Sequence, residues 1–282
     1  MHLPLHYYRI GNLYGPGMPP TGPPGPHEKL LERQIGQLGL VLVHCWNLGE
    51  SDGPYPISSA DHRPGEAADW VPAAHGIIRQ RIAPVLTAAR QSGMAVFHLA
   101  QQGYVHRYPQ YARIAADPAL QPLTQPVEGG TQVEGCLQPR SREEKWSDQY
   151  GPEFPGPVWV THAETFDIAT PLKPLPTEDV FLDGWQLNGL CRRRGIDTLI
   201  YAGFMADLCL LNVPGALREM SSHFGYRCVV LGDCTIAYEY EDTHRGQWMT
   251  RAAIRLVETD LGYSCSADEL VAALPASPGV EG

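Results

Sequence analysis

Residues 197–211 read DTLIYAGFMADLCLL, and this stretch decides the fold. The apolar run TLIYAGF within it is rich in β-branched and aromatic residues, which predicts a strand buried on both faces. The chain then turns after Gly203 and presents Cys209 near the start of a helix expected over about 206–222. A buried strand that passes through a tight turn into a helix is typical of a parallel α/β sheet.

The same pattern recurs on both sides of this stretch. Further strands are predicted from the apolar runs LGLVLVHC at 38–45, MAVFHLA at 94–100, DVFL at 179–182 and YRCVVL at 226–231. Helices are predicted between them, the last over about 243–260. Strands that alternate with helices predict a three-layer α/β/α fold with a mostly parallel sheet of five or six strands, of the Rossmann type.

The 282 residues are interpreted as one α/β domain with irregular additions. A Pro/Gly-rich arm over residues 1–30 is expected to hold no regular element. Residues 31–270 form the domain, and a long insertion at about 101–178 interrupts it with little periodicity. Residues 271–282 are expected to be a flexible tail.

Composition excludes several classes of protein. There are 31 acidic and 21 basic residues, a formal charge of −10, and nucleic-acid phosphates demand the opposite sign. No apolar run approaches the roughly 18–20 residues of a membrane helix. The N-terminus lacks the basic and apolar segments of a signal peptide. We therefore expect a cytoplasmic protein that binds a small molecule and neither nucleic acid nor membrane.

The seven cysteines are odd in number and have no CxxC spacing, which argues against a zinc ribbon or a disulfide scaffold. Most of the cysteines are expected to be core residues, and Cys209 is the exception. A thiol near a helix N-terminus gains from the helix dipole, which lowers its pKa. The unpaired N–H groups of the first turn can bind the oxyanion that forms when a carbonyl is attacked. The unit is therefore a candidate nucleophile site.

GFMADLC resembles the Gly-x-Ala-Thr-x-x-Cys turn of the isochorismatase-like cysteine hydrolase family, which includes nicotinamidases and N-carbamoylsarcosine amidohydrolases. RRRGIDTLIYAG before it, GYRCVVLGDCTIAYE after it and QLGLVLVHCWN near the start of the chain resemble other strand phrases of the family. The resemblance covers about 38–100 and 179–260. It implies a cis peptide at Phe204–Met205, which would aim the N–H groups of Met205 and Cys209 at the oxyanion.

Two residues of the family's catalytic set are replaced. The family uses an Asp at the end of the first strand as general base, and His44 stands there. The family's Lys at the end of the third strand is not found, because Asp183 follows that strand and Lys173 precedes it. Imidazole can take a proton from a thiol and return it to a leaving group. We therefore predict a Cys209–His44 catalytic pair.

The carboxyl ends of parallel strands form the ligand-binding edge of such a sheet. Trp46 and Asn47 follow the first predicted strand, and Trp185 follows the third, so these side chains are expected to line the mouth of a pocket. Asp183 is expected to orient the imidazole or to hold a cationic substrate. His106 is a further candidate for substrate binding.

The resemblance implies a hydrolase of a small amide, imide or carbamoyl compound, acting through a thioester without a cofactor and as a dimer or tetramer. Three alternatives stay open. The protein could be a catalytically silent relative that acts by binding or assembly. It could hold a metal through His44, His98 or His106, with His62 as a further ligand. Some relatives cleave a vinyl ether without any nucleophile, so a non-covalent site is the third.

Overall fold

The computed structural model describes residues 1–10, 23–57, 70–121, 147, 151–156 and 158–275. Within them eight strands form one sheet: β1 His2–Arg9, β2 Gly25–Glu32, β3 Leu38–Val43, β4 Ala95–Leu99, β5 Asp179–Phe181, β6 Thr198–Gly203, β7 Arg227–Leu231 and β8 Tyr263–Cys265. Their order across the sheet is β2-β1-β8-β7-β6-β3-β4-β5. The six strands from β8 to β5 are parallel, whereas β1 is antiparallel to both of its neighbours. The predicted α/β fold is confirmed, with two strands added at one edge.

Those two strands come from the N-terminal arm. The expectation that residues 1–30 hold no regular element is wrong, because β1 and β2 pair antiparallel from His2 opposite Glu32 to Arg9 opposite Gly25. Leu3 and Leu5 of β1 are fully buried, so alternate residues face the core as in a half-buried strand. The Pro and Gly residues that suggest an irregular arm are concentrated in the connection between β1 and β2. Residues 11–22 of that connection lie outside the described residues.

Helices cover both faces of the sheet. They are α1 Trp70–Ile77, α2 Ala83–Ser92, α3 Pro109–Ala115, α4 Val158–Thr161, α5 Gly184–Arg194, α6 Cys209–Asn212, α7 Leu217–Ser222, α8 Trp248–Leu256 and α9 Ala267–Ala273. Leu40 and Leu42 of β3 belong to one apolar cluster, and Val41 and Val43 to the other. Because successive side chains of a strand point to opposite faces, the continuous apolar run of β3 reflects burial on both sides. No helix in the described ranges has the length and apolar character needed to cross a membrane.

The single helix predicted over 206–222 is two short helices. The first turn, α6, ends at Asn212, and α7 begins only at Leu217. Pro214 has no N–H to donate, and Gly215 has a φ of +82° that a helix does not allow. The helix is therefore broken between Asn212 and Leu217, and Cys209 begins a helix of one turn.

The predicted insertion contains α3 and α4, and residues 122–146 of it lie outside the described part of the chain. Of the predicted tail, Val271 to Ala273 belong to α9, and residues 276–282 are not among the described residues.

A buried ionic cluster ties the insertion to the sheet. The Arg90 guanidinium donates to both carboxylate oxygens of Glu178, at 2.7 and 2.9 Å. The His98 ring lies 2.9 Å from the same carboxylate, and the Leu175 amide donates to it. Burial by itself would raise the pKa of Glu178, but these hydrogen bonds outweigh it and lower the pKa to about 2. Burial lowers the pKa of His98, so its ring is the neutral partner.

This cluster predicts loss of stability in acid. The folded-state pKa of Glu178 is depressed from 4.5 to about 2, so its contribution is present above the unfolded pKa and disappears as pH falls toward the folded one. We expect the free energy of unfolding to fall by about 3 kcal/mol from this group between about pH 5 and pH 2. Glu178→Gln should be less stable at neutral pH and lose less on acidification. Urea unfolding at several pH values measures both, and equal pH slopes for the two proteins would contradict the assignment.

Candidate active site

The turn that carries Cys209 is fixed to the end of β3. Gly203 ends β6 with a φ of +121°, and a Cβ there would lie 2.0 Å from the Val43 carbonyl oxygen. Only glycine allows this approach. The Phe204 amide then donates to the same carbonyl at 2.9 Å. The peptide bond Phe204–Met205 is cis, as the resemblance implied.

The other side of the turn is fixed to the loop after β7. The Gly203 amide donates to the Cys234 carbonyl at 3.0 Å, and the Ala206 amide donates to the Ile236 carbonyl at 3.1 Å. The Met205 carbonyl accepts hydrogen bonds from two later amides of the turn, those of Leu208 and Leu210, each at 3.1 Å. The backbone of the nucleophile turn is therefore held from both neighbouring strands.

The amides of Met205 and Cys209 are used differently from the rest of the turn. Neither donates to a backbone carbonyl in the described part of the chain. The Met205 amide instead forms a hydrogen bond with the Cys209 thiol that favours its charged form. The Met205 amide therefore lies at the sulfur, and the Cys209 amide has no backbone carbonyl acceptor among the described residues, so both are candidate donors to an oxyanion.

The expectation of a lowered thiol pKa is not met. Burial raises the pKa of Cys209, the Met205 amide opposes this, and the negative charge of Asp207 raises it further. A helix of one turn carries little dipole, because the dipole is the sum of aligned peptide units. The break after α6 therefore removes the feature from which a low pKa was expected.

The influence of Asp207 can be tested by chemical modification. Asp207→Asn removes a negative charge beside the sulfur, so alkylation of Cys209 by iodoacetamide at about pH 8 should become about three- to tenfold faster. Peptide mapping by mass spectrometry follows Cys209 separately from the other cysteines. Asp183→Asn is the matched control, because Asp183 is not among the groups that shift the Cys209 pKa and asparagine preserves its capping role. An unchanged rate in Asp207→Asn would refute this electrostatic role.

His44 lies beside the turn in the sheet but does not contact the thiol. Val43 at the end of β3 pairs with Gly203 at the end of β6. His44 and Phe204 therefore follow the paired ends of two neighbouring strands. The ring is 4 % exposed and stacks on Trp46 at 5.2 Å between centroids. Burial lowers the pKa of His44 to about 4, partly opposed by the Ala100 carbonyl. In the described residues Nδ1 has no hydrogen-bond partner, and neither His44 nor Cys209 shifts the pKa of the other.

Trp46 is the centre of a buried aromatic cluster. Its ring lies 6.3 Å from that of Trp70 and 5.5 Å from that of Phe166, and Trp70 meets Phe204 edge-on at 5.6 Å. Tyr104 packs against Phe166 at 5.6 Å. Among the buried polar atoms here, His44 Nδ1, Trp70 Nε1 and Gln101 Oε1 have no hydrogen-bond partner in the described residues. Buried polar atoms normally have partners, so this end of the sheet offers unusual capacity for a polar guest.

Asn47 has a structural role. Its side-chain amide donates to the Thr165 carbonyl at 2.8 Å, and its oxygen accepts from the Asp167 amide at 2.9 Å. Its own backbone amide donates to the Asp167 carbonyl. These bonds join the loop after β3 to the insertion and engage both the nitrogen and the oxygen of the carboxamide.

The other predicted contacts form a separate group at the ends of β4 and β5. Asp183 is the N-cap of α5 and accepts from the Gln186 amide at 2.9 Å. The exposed His106 meets Tyr111 edge-on at 5.4 Å, and the charge of Asp183 contributes to raising the pKa of Tyr111. Trp185 is 41 % exposed and packs against Phe224. None of these contacts joins the group to His44 or Trp46.

Lys173 precedes β5, as the sequence indicated. Its Nζ lies 2.6 Å from Asp167 Oδ2 and 3.0 Å from the Tyr108 hydroxyl. Tyr108 in turn donates to Asp167 Oδ1 at 2.5 Å. The lysine is paired within the insertion, and the chain leaves β5 through Leu182 and Asp183 without a basic side chain.

The isochorismatase domain model matches residues 66–259, more than half of the chain. The chain belongs to the isochorismatase family. A comparison with curated proteins found no match.

Solved structures of the isochorismatase family are similar to this chain. A cysteine hydrolase from Pseudomonas syringae is 15 % identical, with 85 % of this chain and 93 % of that chain covered and a TM-score of 0.49. An isochorismatase family protein from Desulfovibrio vulgaris is 18 % identical, with 84 % and 98 % covered and a TM-score of 0.47. A nicotinamidase from Staphylococcus aureus is 13 % identical, with 81 % and 98 % covered and a TM-score of 0.41.

The three histidines considered as metal ligands, His44, His98 and His106, each contact a different residue. His44 stacks on Trp46, His98 is bonded to Glu178, and His106 packs on Tyr111. In the described ranges no three His, Cys, Asp or Glu side chains come together as a metal-binding group. His62 lies outside those ranges.

Three residues of this candidate site in the isochorismatase family member were not identified from the sequence. Asp207 is part of the quoted stretch, and a carboxylate two residues from a nucleophile was a usable signal. Trp70 and Tyr104 gave none, since each lies in a segment of weak periodicity. Only folding brings their rings to Trp46, Phe166 and Phe204.

Proposed function

We propose that the protein is a cysteine-dependent hydrolase of a small amide, imide or carbamoyl compound. The Cys209 sulfur attacks the carbonyl carbon, and the thiol proton passes to His44. The tetrahedral intermediate collapses, the C–N bond breaks, and the amine leaves with that proton. Water then hydrolyses the thioester, releases the acid and restores the thiol.

One observation carries this proposal. The turn presents Cys209 with two amides, those of Met205 and Cys209, that no described backbone carbonyl accepts. Backbone N–H groups held in advance at the site of developing charge stabilise an oxyanion without reorganisation. The turn is fixed by Gly203 and by hydrogen bonds to β3 and to the loop after β7, so the geometry does not depend on substrate. Membership of the isochorismatase family supports the same chemistry.

His44 is proposed as the proton acceptor because it is neutral and incompletely bonded. Burial lowers its pKa to about 4, so the ring accepts a proton at neutral pH without first losing one. The same low pKa means that the proton rests there only briefly, and transfer must accompany attack on the carbonyl. Since the ring does not contact the sulfur, a water or the substrate itself is required to carry the proton between them.

Trapping of the acyl-enzyme tests the proposal. Small primary amides, imides and carbamoyl compounds are incubated with the protein, the reaction is quenched in acid, and the intact mass is measured. A mass increase equal to the acyl group that maps to Cys209 and is absent in Cys209→Ala is the expected result. Product formation without such an adduct, at an undiminished rate in Cys209→Ala, would exclude the cysteine mechanism.

A second candidate is a silent relative that acts by binding or assembly. The raised pKa of Cys209 favours it, because the thiolate is the nucleophile and is scarce at neutral pH. The absence of a lysine after β5 points in the same direction. This candidate requires Cys209 to react with iodoacetamide near neutral pH no faster than a free cysteine, with and without amides present, and to form no acyl adduct.

A further inference from the structure

A cavity lies against the turn that carries Cys209. Its volume is about 440 Å³, and its lining includes Trp70, Ile236, Glu239, Arg245 and Arg251. We call it the Trp70 cavity. It is formed by α1 on one side and by α8 with the loop that precedes it on the other.

The Trp70 cavity is in direct contact with the turn. The carbonyl of Ile236 accepts the hydrogen bond from the Ala206 amide at 3.1 Å. The Trp70 ring meets the Phe204 ring edge-on, with centroids 5.6 Å apart. The charge of Glu239 is also among the influences that raise the pKa of Asp207. Two walls of the cavity therefore touch residues that lie within five positions of Cys209.

The charge of the cavity is opposite to that of the protein. The chain has a formal charge of −10, yet Arg245, Arg251 and His244 line this space. Neither arginine has a carboxylate within ion-pair distance in the part of the chain that the structure describes. Arg251 lies over the Trp248 ring at 5.5 Å instead. The two guanidinium groups are thus available to an external anion.

The acidic residue of the lining does not neutralise them. Glu239 is 5 % exposed and accepts hydrogen bonds from the Thr250 amide at 2.9 Å, the Thr250 hydroxyl at 2.8 Å and the Met249 amide at 3.2 Å. Its carboxylate is committed to the first turn of α8, where a negative charge is stabilised by the helix. The hydrogen bonds lower the pKa of Glu239 despite its burial. Because its carboxylate is engaged by α8, it does not pair with the guanidinium groups of Arg245 and Arg251.

The remaining lining suits a carbon skeleton. Ile236, Ala237 and Ala73 are apolar, and the Trp70 ring gives a flat wall.

On the basis of the hydrolase function proposed above, we infer that the Trp70 cavity binds the carboxylate of an anionic amide substrate, with Arg245 and Arg251 as its partners. Guanidinium groups recognise carboxylates through paired, charge-assisted hydrogen bonds. The substrate class is accordingly a small organic acid that also carries an amide group, with its carboxylate held by the arginines and its carbon skeleton against the wall that the cavity shares with the turn before Cys209.

A pair of matched probes tests the inference without turnover. Succinamate has one carboxylate and one amide, and succinamide has the same size but no charge. Their binding to Cys209→Ala is measured by calorimetry at low ionic strength. Succinamate should bind with a dissociation constant below about 10 mM and about tenfold more tightly than succinamide. Added salt should reduce this preference.

The arginines are then removed in the same background. Arg245→Gln combined with Arg251→Gln should abolish the preference for succinamate. The matched control is Arg192→Gln, which removes an exposed arginine from α5 and should keep the preference. Equal binding of the two probes, no binding of succinamate, or an undiminished preference in the double variant would each overturn the inference. Because Cys209→Ala cannot form a thioester, binding tests the cavity alone, whereas failure of the hydrolase proposal shows as the absence of an adduct on the intact protein.

Discussion

Replacing Cys209 by alanine is expected to lower kcat/KM by about 10⁴-fold or more on an amide that acylates the protein. Alanine removes the only group that can form the thioester, and water has to attack the carbonyl directly. The Met205 and Cys209 amides stay in place and still stabilise the oxyanion, so a small residual rate is expected. Steady-state assays of amine release measure the loss, and circular dichroism checks that the fold is intact.

Cys228→Ala is the matched control for loss of a thiol. Cys228 is fully buried in β7, where a cysteine acts as a small apolar residue. This variant should lose some stability and keep kcat/KM within about threefold of the parent value. A Cys209→Ala protein that retains full activity would place the reaction elsewhere and leave only the fold assignment.

Gly203→Ala is expected to have the largest effect on folding. The added Cβ would lie 2.0 Å from the Val43 carbonyl oxygen, and the residue has a φ of +121° that alanine rarely adopts. The clash falls between β3 and β6 and at the start of the turn that carries Cys209, so neither partner can move alone. We expect a loss of more than about 4 kcal/mol in the free energy of unfolding, or failure to fold.

Gly195→Ala separates the clash from ordinary glycine replacement. Gly195 also has a positive φ, +69°, but a Cβ there has no atom within 4 Å. Its replacement should cost about 1 kcal/mol. Urea unfolding compares the two variants, and soluble yield provides the comparison where Gly203→Ala does not fold. Equal stability of the two variants would show that β3 and β6 do not approach as closely as described.

The sequence alone was enough to predict the α/β architecture and to single out Cys209 as a candidate nucleophile. Apolar runs such as those of β3 and β6 predict buried strands because a strand covered on both faces cannot tolerate polar side chains. The alternation with helical segments then predicts a parallel sheet. Gly203 and the residues after it predict a sharp turn at the carboxyl end of β6, which brings Cys209 to the ligand-binding edge. These signals are local, so one chain is enough to reveal them.

The environment of the Cys209 thiol depends on the tertiary structure and could not be predicted from the sequence. The break at Pro214 and Gly215 shortens α6, and burial together with Asp207 raises the pKa of Cys209. The packing of Trp46 against Trp70 and Phe166, the hydrogen bonds of Asn47 to the insertion and the pairing of β1 with β2 depend on partners that lie farther along the chain. Solvation, charge and packing at a site are set by what surrounds it in space, and periodicity along the chain records only which face is buried.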